Sequence, residues 1–494
     1  MKNQIPSKPA EYQLFINGKY TEAIGGKRFD RVSPGHDVVV GTYAEAGAED
    51  VDLAVNAASN ALKGPWGSMN GAERAAIILK AAQLIRKNAE ELALIETLES
   101  GKPITQAIDE MEWSAGNWDY AATLARHNKG ESYNSLGDDM LALTVREPVG
   151  VVAMITPWNF PLLIISQKLP LALAVGCTAV IKPSEFTSGT TLRLGALLKE
   201  AGLPDGVVNI VSGYGQPVGE AMTDHPKVDM ISFTGSSMVG KIIASKAGAK
   251  LKKVELELGG KNPQIIFPDA DMEAALDAVV FGVYFNMGEC CNSGSRIIIH
   301  KSIADEFVKK VVEVSKTVKV GDPLDPEVKV GAIINDQQAS KICSYFDTAE
   351  EEGATVQLGG DKPAEGKGCY IAPTVYSDVT PEMKIAKEEI FGPVLSVLTF
   401  ESVEEAIEIA NNTSYGLSAS VWTKDIDRAM KISRSVQAGT VWINSFMDGY
   451  PEVPFGGYKE SGLGREMGTA AIDEFTEIKT IQVHIGERTG WWAK

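Results

Sequence analysis

The sequence predicts an α/β protein of two parallel-sheet lobes with a small additional element of extended strands. Three observations carry that prediction. From residue 149 onward, short β-branched runs alternate with helix-period runs, as βαβ units with helices on the faces of a sheet require. A second alternating set begins after Glu257. Two further segments, 130–147 and 479–485, look like strands that belong to neither set.

Taken in order, residues 48–99 read as helical, with apolar residues at three- and four-residue spacing through Ile77-Ile78-Leu79, Leu84-Ile85 and 92–98. The first alternating set then has strands at 149–155, 179–181, 207–211 and 230–233 and helices at 169–175, 192–201 and 239–247. The second has strands at 264–267, 296–300, 395–400 and 418–422 and helices at 274–286, 303–318, 340–351 and 403–411. Within 130–147, Leu141-Ala142-Leu143-Thr144-Val145 suits one arm of an extended hairpin. Isolated two-stranded structures are marginal in water, so these orphan strands are expected to pair with something larger, another subunit being the leading candidate.

The totals agree and exclude several classes. At 494 residues the chain exceeds what one core usually fills, so two or three domains are expected. A net charge of −18 repels phosphate backbones, which argues against nucleic acid and anionic membrane surfaces as partners. The longest apolar runs, 149–155 and 169–175, fall far short of the roughly 20 residues of a membrane helix. The N-terminus, Met1 to Pro9, is polar and lacks an apolar signal region, so a cytoplasmic location is expected. Five cysteines (Cys177, Cys290, Cys291, Cys343, Cys369) form no C-x-x-C pair, and five histidines (His36, His127, His225, His300, His484) are scattered. No metal-ligand spacing results, and the odd cysteine count argues against a disulfide framework.

Chemistry concentrates in a few turns. Phe285-Asn286-Met287-Gly288-Glu289-Cys290-Cys291-Asn292-Ser293-Gly294-Ser295-Arg296 sets two adjacent cysteines in a Gly- and Ser-rich junction, a candidate for thiolate catalysis, although cysteine is more often mere packing. Gly213-Tyr214-Gly215-Gln216-Pro217-Val218-Gly219 misses the dinucleotide-binding spacing by one residue. Phe233-Thr234-Gly235-Ser236 leads from a strand into a helix whose free N–H groups form an anion site, or simply a cap. Ile181-Lys182-Pro183-Ser184-Glu185 ends a strand with a lysine and an acidic group suited to a ribose 2′-hydroxyl, or to an ion pair. Glu257, before Gly259-Gly260-Lys261-Asn262-Pro263, is a candidate general base if burial raises its pKa. Asn159, held in Pro157-Trp158-Asn159-Phe160-Pro161, is a candidate oxyanion donor, or a turn residue.

Together with Glu388-Glu389-Ile390-Phe391-Gly392-Pro393 and Pro454-Phe455-Gly456-Gly457-Tyr458-Lys459, these blocks resemble, in order and spacing, the signature blocks of the NAD(P)-dependent aldehyde dehydrogenase superfamily. The resemblance spans nearly the whole chain. It implies a Rossmann-type cofactor lobe (1–129 and 148–258), an α/β catalytic lobe (259–478) and a β-strand oligomerisation domain (130–147 and 479–494) that forms a homodimer or homotetramer.

The resemblance also implies roles. Counted back from Gly294-Ser295-Arg296, Cys291 matches the nucleophile and Cys290 its neighbour in the substrate tunnel; Glu257 matches the base and Asn159 the oxyanion donor, partnered by the Cys291 backbone N–H. Trp158, Lys182, Glu185, Ser236, Gly215, Glu389 and Phe391 match cofactor-binding positions, and Glu185 favours NAD, with use of NADP left open. The implied reaction oxidises a small-molecule aldehyde to the acid through a thiohemiacetal and a thioester that a Glu257-activated water hydrolyses. Trp113, Phe160, Tyr450 and Phe455 would give apolar walls to the substrate site. Gln167 stands where many members carry an aromatic, which argues against a betaine aldehyde cage, and with Asn292 it hints at hydroxyl or carbonyl groups on the substrate. Three alternatives are less consistent with the residues. A CoA-acylating member would not need Glu257; a cysteine hydrolase would need a histidine; a structural relative would be expected to lose Cys291 or the cofactor residues.

Overall fold

The computed structural model describes residues 4–361, 369–487, 490 and 492. Residues 1–3 of the expected cofactor lobe, 362–368 of the expected catalytic lobe and 488, 489, 491, 493 and 494 of the expected oligomerisation segment lie outside the described residues.

The first sheet is built on five parallel strands in the spatial order Lys253–Glu257, Met230–Thr234, Val151–Ile155, Thr178–Lys182 and Val208–Ile210. Four of them, Val151–Ile155, Thr178–Lys182, Val208–Ile210 and Met230–Thr234, are buried at every residue, which is why they read as largely apolar runs instead of alternating ones. Successive side chains still go to opposite faces. Val152, Met154, Ala179 and Ile181 join the core under the helices Gly71–Lys87, Ile104–Ala125 and Pro161–Val175, whereas Val151, Ala153, Ile155 and Val180 join the core that includes Val51, Ala54, Val55 and Ala58 of the helix Ala48–Ala61. Strand order reverses between Met230–Thr234 and Val151–Ile155, and such a switch point opens a ligand crevice at the carboxyl ends of the strands.

The second sheet has the order Thr355–Leu358, Thr374–Ser377, Val394–Phe400, Arg296–His300, Pro263–Ile266, Ser418–Trp422 and Thr440–Ile443, parallel throughout apart from the first pair. The helix expected at 274–286 runs over Met272–Tyr284 and stops there, because Asn286 and Met287 take left-handed backbone angles (φ 49° and 59°). That break turns the chain into the Cys290-Cys291 loop before it re-enters the sheet at Arg296.

The orphan strands find partners in each other. Thr476–His484 pairs antiparallel with Met140–Pro148 of the same chain, from Thr476 opposite Pro148 to His484 opposite Met140, and Ser132–Tyr133 adds a third strand. The sequence reading also passed over the first 47 residues. Ala10–Tyr12, Arg28–Val32 and Val39–Ala44 form a separate sheet, while Leu14–Ile16 and Lys19–Thr21 extend the first sheet at one edge. The three-residue strands are too short to display a period of two, but Arg28–Val32 alternates in burial and was within reach.

Candidate active site

The carboxyl edge of the first sheet faces the amino edge of the second. Asn159 follows the strand Val151–Ile155, Lys182 closes the strand Thr178–Lys182 and Glu185 follows it, Ser236 follows the strand Met230–Thr234, and Glu257 closes the strand Lys253–Glu257. Cys291 precedes Arg296–His300, and Glu389 and Phe391 precede Val394–Phe400. Residues up to 232 positions apart, Asn159 and Phe391, are thus gathered at one cleft by strand direction.

Cys291 is partly exposed, whereas Cys290 is buried. The loop is held from below by Asn262, whose Nδ2 donates to the carbonyls of Cys291 and Ser293 (2.9 Å each) and whose Oδ1 accepts from the Ser418 N–H (3.1 Å). Gly260 runs so close that a Cβ there would lie 2.4 Å from the Cys291 carbonyl oxygen, so glycine is required. The Cys291 thiol is pushed well above its ordinary value, first by its hydrogen bond with the Cys290 thiol and then by burial. At rest it is a thiol.

Asn159 is 4% exposed and its Nδ2 donates to the Glu289 carbonyl (3.0 Å); Asn286 Nδ2 donates to the same carbonyl (2.9 Å) and to that of Asn159 (3.3 Å). Two amides therefore tie the Asn159 turn to the cysteine loop. Glu257 is buried, and neither of its carboxylate oxygens has a hydrogen-bond partner. Burial first, and then the charge of Glu255, hold its carboxyl well above the usual carboxylate range.

Beside Trp158 of the same turn, a cavity of about 340 Å³ is lined also by Phe186, Ile334, Asn335, Gln337, Gln338 and Lys341. The Trp158 ring meets Phe391 edge-on (5.3 Å), and Gln338 Nε2 donates to the Phe391 carbonyl (2.8 Å). Lys182 is 3% exposed and lies 3.6 Å from the Glu185 carboxylate; burial holds its pKa down. Glu389 accepts from the Gly260 N–H (3.0 Å), and burial raises its pKa. Ser236 caps the helix Ser237–Gly248 by accepting from the Val239 N–H. Gly215 opens a short turn, Gly215–Gly219, with free space on its Cβ side.

The aldehyde dehydrogenase family profile matches residues 20–481. Aldehyde dehydrogenase 1 of Tanacetum cinerariifolium is 45% identical over 476 residues, covering 96% of this chain and 95% of that one. The chain belongs to the aldehyde dehydrogenase family. The betaine aldehyde dehydrogenase of Bacillus subtilis (strain 168) is 42% identical over 472 residues, covering 95% of this chain and 96% of the relative. Among solved structures, the NAD-dependent aldehyde dehydrogenase from Sinorhizobium meliloti superposes with a TM-score of 0.97 at 50% identity, over 98% of this chain and 97% of that one. The aldehyde dehydrogenase from Bacillus cereus in its NAD+ complex does so at 0.95 and 43% identity, over 98% and 100%.

In this family member the expected substrate residues fall into two groups. Phe160, Cys290 and Phe285 pack in one small apolar cluster with Leu163, Ile164 and Met447. Phe285 stacks on Phe160 (5.9 Å) and meets Trp113 (6.1 Å) and Phe281 (5.1 Å); Trp113 is 46% exposed, at the rim. Asn292 Oδ1 accepts from the Cys290 thiol (2.9 Å), so part of its polarity is already satisfied within the loop. Gln167 is half-buried one helical turn beyond Leu163 and Ile164. Phe455 is half-buried, and its backbone pairs with Glu466 in both directions (2.8 Å each). Tyr450 is 59% exposed, and its ring stacks on no other among the described residues.

Sequence reasoning missed the groups around the base. Lys168, Glu255 and Glu466 are all buried; Lys168 Nζ lies 3.3 Å from both oxygens of Glu255 and is ion-paired to Glu466, while the Ser232 hydroxyl donates to Glu255. One carboxylate oxygen from each of Glu255, Glu257 and Glu466 lies within 4.8 Å of the others, with the Lys168 ammonium supplying positive charge to the group. Glu255 could have been found, since it shares a strand face with Glu257 two residues on. Nothing in sequence joins Glu466 to them. Asn262, inside the Gly259-Gly260 block, was within reach as an amide beside a tight turn.

Proposed function

We propose that this aldehyde dehydrogenase uses Cys291 as its nucleophile, Asn159 and the Cys291 backbone N–H as oxyanion donors, and Glu257 as the base that activates water. The carrying observation is the convergence of Cys291, Asn159 and Glu257 on one cleft between the two sheet edges, with Glu257 buried and both of its oxygens uncommitted. A carboxyl with free lone pairs and a raised pKa suits proton transfer from water near neutrality. It also favours water over coenzyme A as the acyl acceptor.

The cofactor is NAD, which when bound supplies the hydride acceptor. The residues fit it: Trp158, Gln338, Lys341 and Phe186 line a cavity beside the switch point, Glu185 offers an acceptor suited to a ribose hydroxyl, and the helix Ser237–Gly248 presents its N-terminus at the strand ends. Cys291 releases its thiol proton to solvent, the thiolate Sγ attacks the aldehyde carbon as the carbonyl π bond opens, and the resulting alkoxide is held by the Asn159 amide and the Cys291 N–H. After loss of hydride the acyl group remains on Cys291 as a thioester. Glu257 takes a proton from water, the water attacks the thioester carbon, and the carboxylic acid leaves with the thiol restored.

The same reading divides the chain into the cofactor lobe 1–129 and 148–258, the catalytic lobe 259–478 and the oligomerisation segments 130–147 and 479–494, in a cytoplasmic homodimer or homotetramer. Supporting the last point, the strand Thr476–His484 exposes every residue after Thr476, including Ile478, Ile481 and Val483, along a sheet edge that pairs with nothing among the described residues. No helix among the described residues is long and apolar enough to cross a membrane. The test is Cys291→Ala with a panel of aliphatic, aromatic and hydroxylated aldehydes. NADH formation should vanish while NAD binding persists; retained turnover would overturn the assignment.

A further inference from the structure

Outside the cleft, the least expected group is Lys102, in the Gly101-Lys102-Pro103 turn between the helices Ala89–Ser100 and Ile104–Ala125. Its side chain is 0% exposed, with Nζ 3.0 Å from Glu96 and 2.6 Å from Glu110, both equally buried. Removing three ionisable groups from water is costly and seldom adds net stability over apolar packing, so a further reason for a cation here is worth seeking. The reason lies 4.5 Å away: Lys102 Nζ stands over the ring of Phe160.

Phe160 is the residue after Asn159 and the last before the helix Pro161–Val175. The two flanking helices converge on the same place. Ile104–Ala125 carries Glu110, Trp113 against Phe285, and Gln106, whose Oε1 accepts from the Asn286 N–H (3.0 Å). Asn286 in turn donates to the Asn159 carbonyl. An ammonium over an aromatic face resists sliding of the ring, and desolvation strengthens that attraction. We propose that Lys102 is a positioning residue: its ammonium, fixed between Glu96 and Glu110, pins the Phe160 ring and through the adjoining peptide sets the Asn159 amide for the developing oxyanion. This rests on the assignment of Asn159 above.

The experiment replaces Phe160 with mono-, di- and trifluorophenylalanine, which weakens the ring's negative face at nearly constant volume, in the full-length enzyme and in Lys102→Met. In the native background kcat should fall stepwise, by about tenfold across the series, with KM for NAD unchanged. In Lys102→Met the series should be flat. A flat series in the native background, or equal slopes in both, overturns the proposal; so does Lys102→Met that loses only thermal stability while keeping kcat. Should Lys102→Met fail to fold, the native-background series decides alone. Asn159→Ala assayed alongside separates the two readings, since a fall in its kcat of about 10²–10³ with a flat fluorophenylalanine series sinks this inference and leaves the oxyanion donor standing.

Discussion

Burial in the cleft reverses the form that solution chemistry favours for Glu257 and reinforces it for Cys291. Cys291 and Glu257 are both pushed toward their protonated states, the thiol by its Cys290 neighbour and burial, the carboxyl by burial and Glu255. A raised carboxyl pKa means that the basic form grows as pH rises, so deacylation should accelerate with pH through an apparent pKa above the ordinary carboxylate range. Glu257→Gln removes the base and keeps the shape. It should still give a burst of one NADH per site, followed by steady-state turnover slower by about 10²–10³, readable by stopped flow; an unchanged steady state would exclude Glu257 as the base. That these residues stand at strand ends was legible from the sequence, because each lies in a turn marked by Gly, Pro or Asn; the roles proposed for them came from the family resemblance. The counter-charges were not. Lys168 and Glu466 are 298 positions apart, and only packing makes them neighbours of Glu257.

At the scale of elements, strand direction and glycine placement decide whether the cleft forms. Parallel strands all end on one edge, so turns that are distant in sequence deliver their side chains to a common line. The block Pro454-Phe455-Gly456-Gly457 meets the end of the strand Lys253–Glu257 so closely that a Cβ on Gly456 (φ +152°) would lie 2.7 Å from Glu257 Oε1. Gly456→Ala should therefore displace the base more than it harms the fold. We expect kcat to drop by about tenfold or more, with a much smaller relative change in KM for the aldehyde and a retained thermal transition. Steady-state kinetics with calorimetry checks this, and an unaffected kcat would show that the two blocks do not constrain each other. The sheets were legible because buried parallel strands read as continuous apolar runs. Of the N-terminal strands, Ala10–Tyr12, Leu14–Ile16 and Lys19–Thr21 are too short for any period, whereas Arg28–Val32 and Val39–Ala44 were long enough to be found.

Over the whole molecule, burial of ionisable groups couples stability to pH. Glu99 is 2% exposed, accepts from the Gly189 N–H (3.1 Å) and the Tyr43 hydroxyl, and is pushed from its ordinary 4.5 up to about 8, chiefly by burial. The folded chain then keeps a proton that the unfolded chain releases near 4.5, so its contribution is fully present below pH 4.5 and is lost as pH rises toward 8. Glu99→Gln should flatten the fall in melting temperature between about pH 5 and 8, relative to the native chain, in thermal scans across that range. Parallel scans with identical slopes would argue that Glu99 is ionised in the fold. The sequence by itself determined the two mainly parallel sheets, because strand runs and turn chemistry are local and survive in one dimension, and the order and spacing of its signature blocks pointed to the family. The tertiary structure decided that the two orphan strands pair with each other, that Lys168 links Glu255 and Glu466 beside the base, and that Lys102 stands behind Phe160. Each of those depends on which surfaces meet and how completely water leaves them, and neither property is carried by any single stretch of chain.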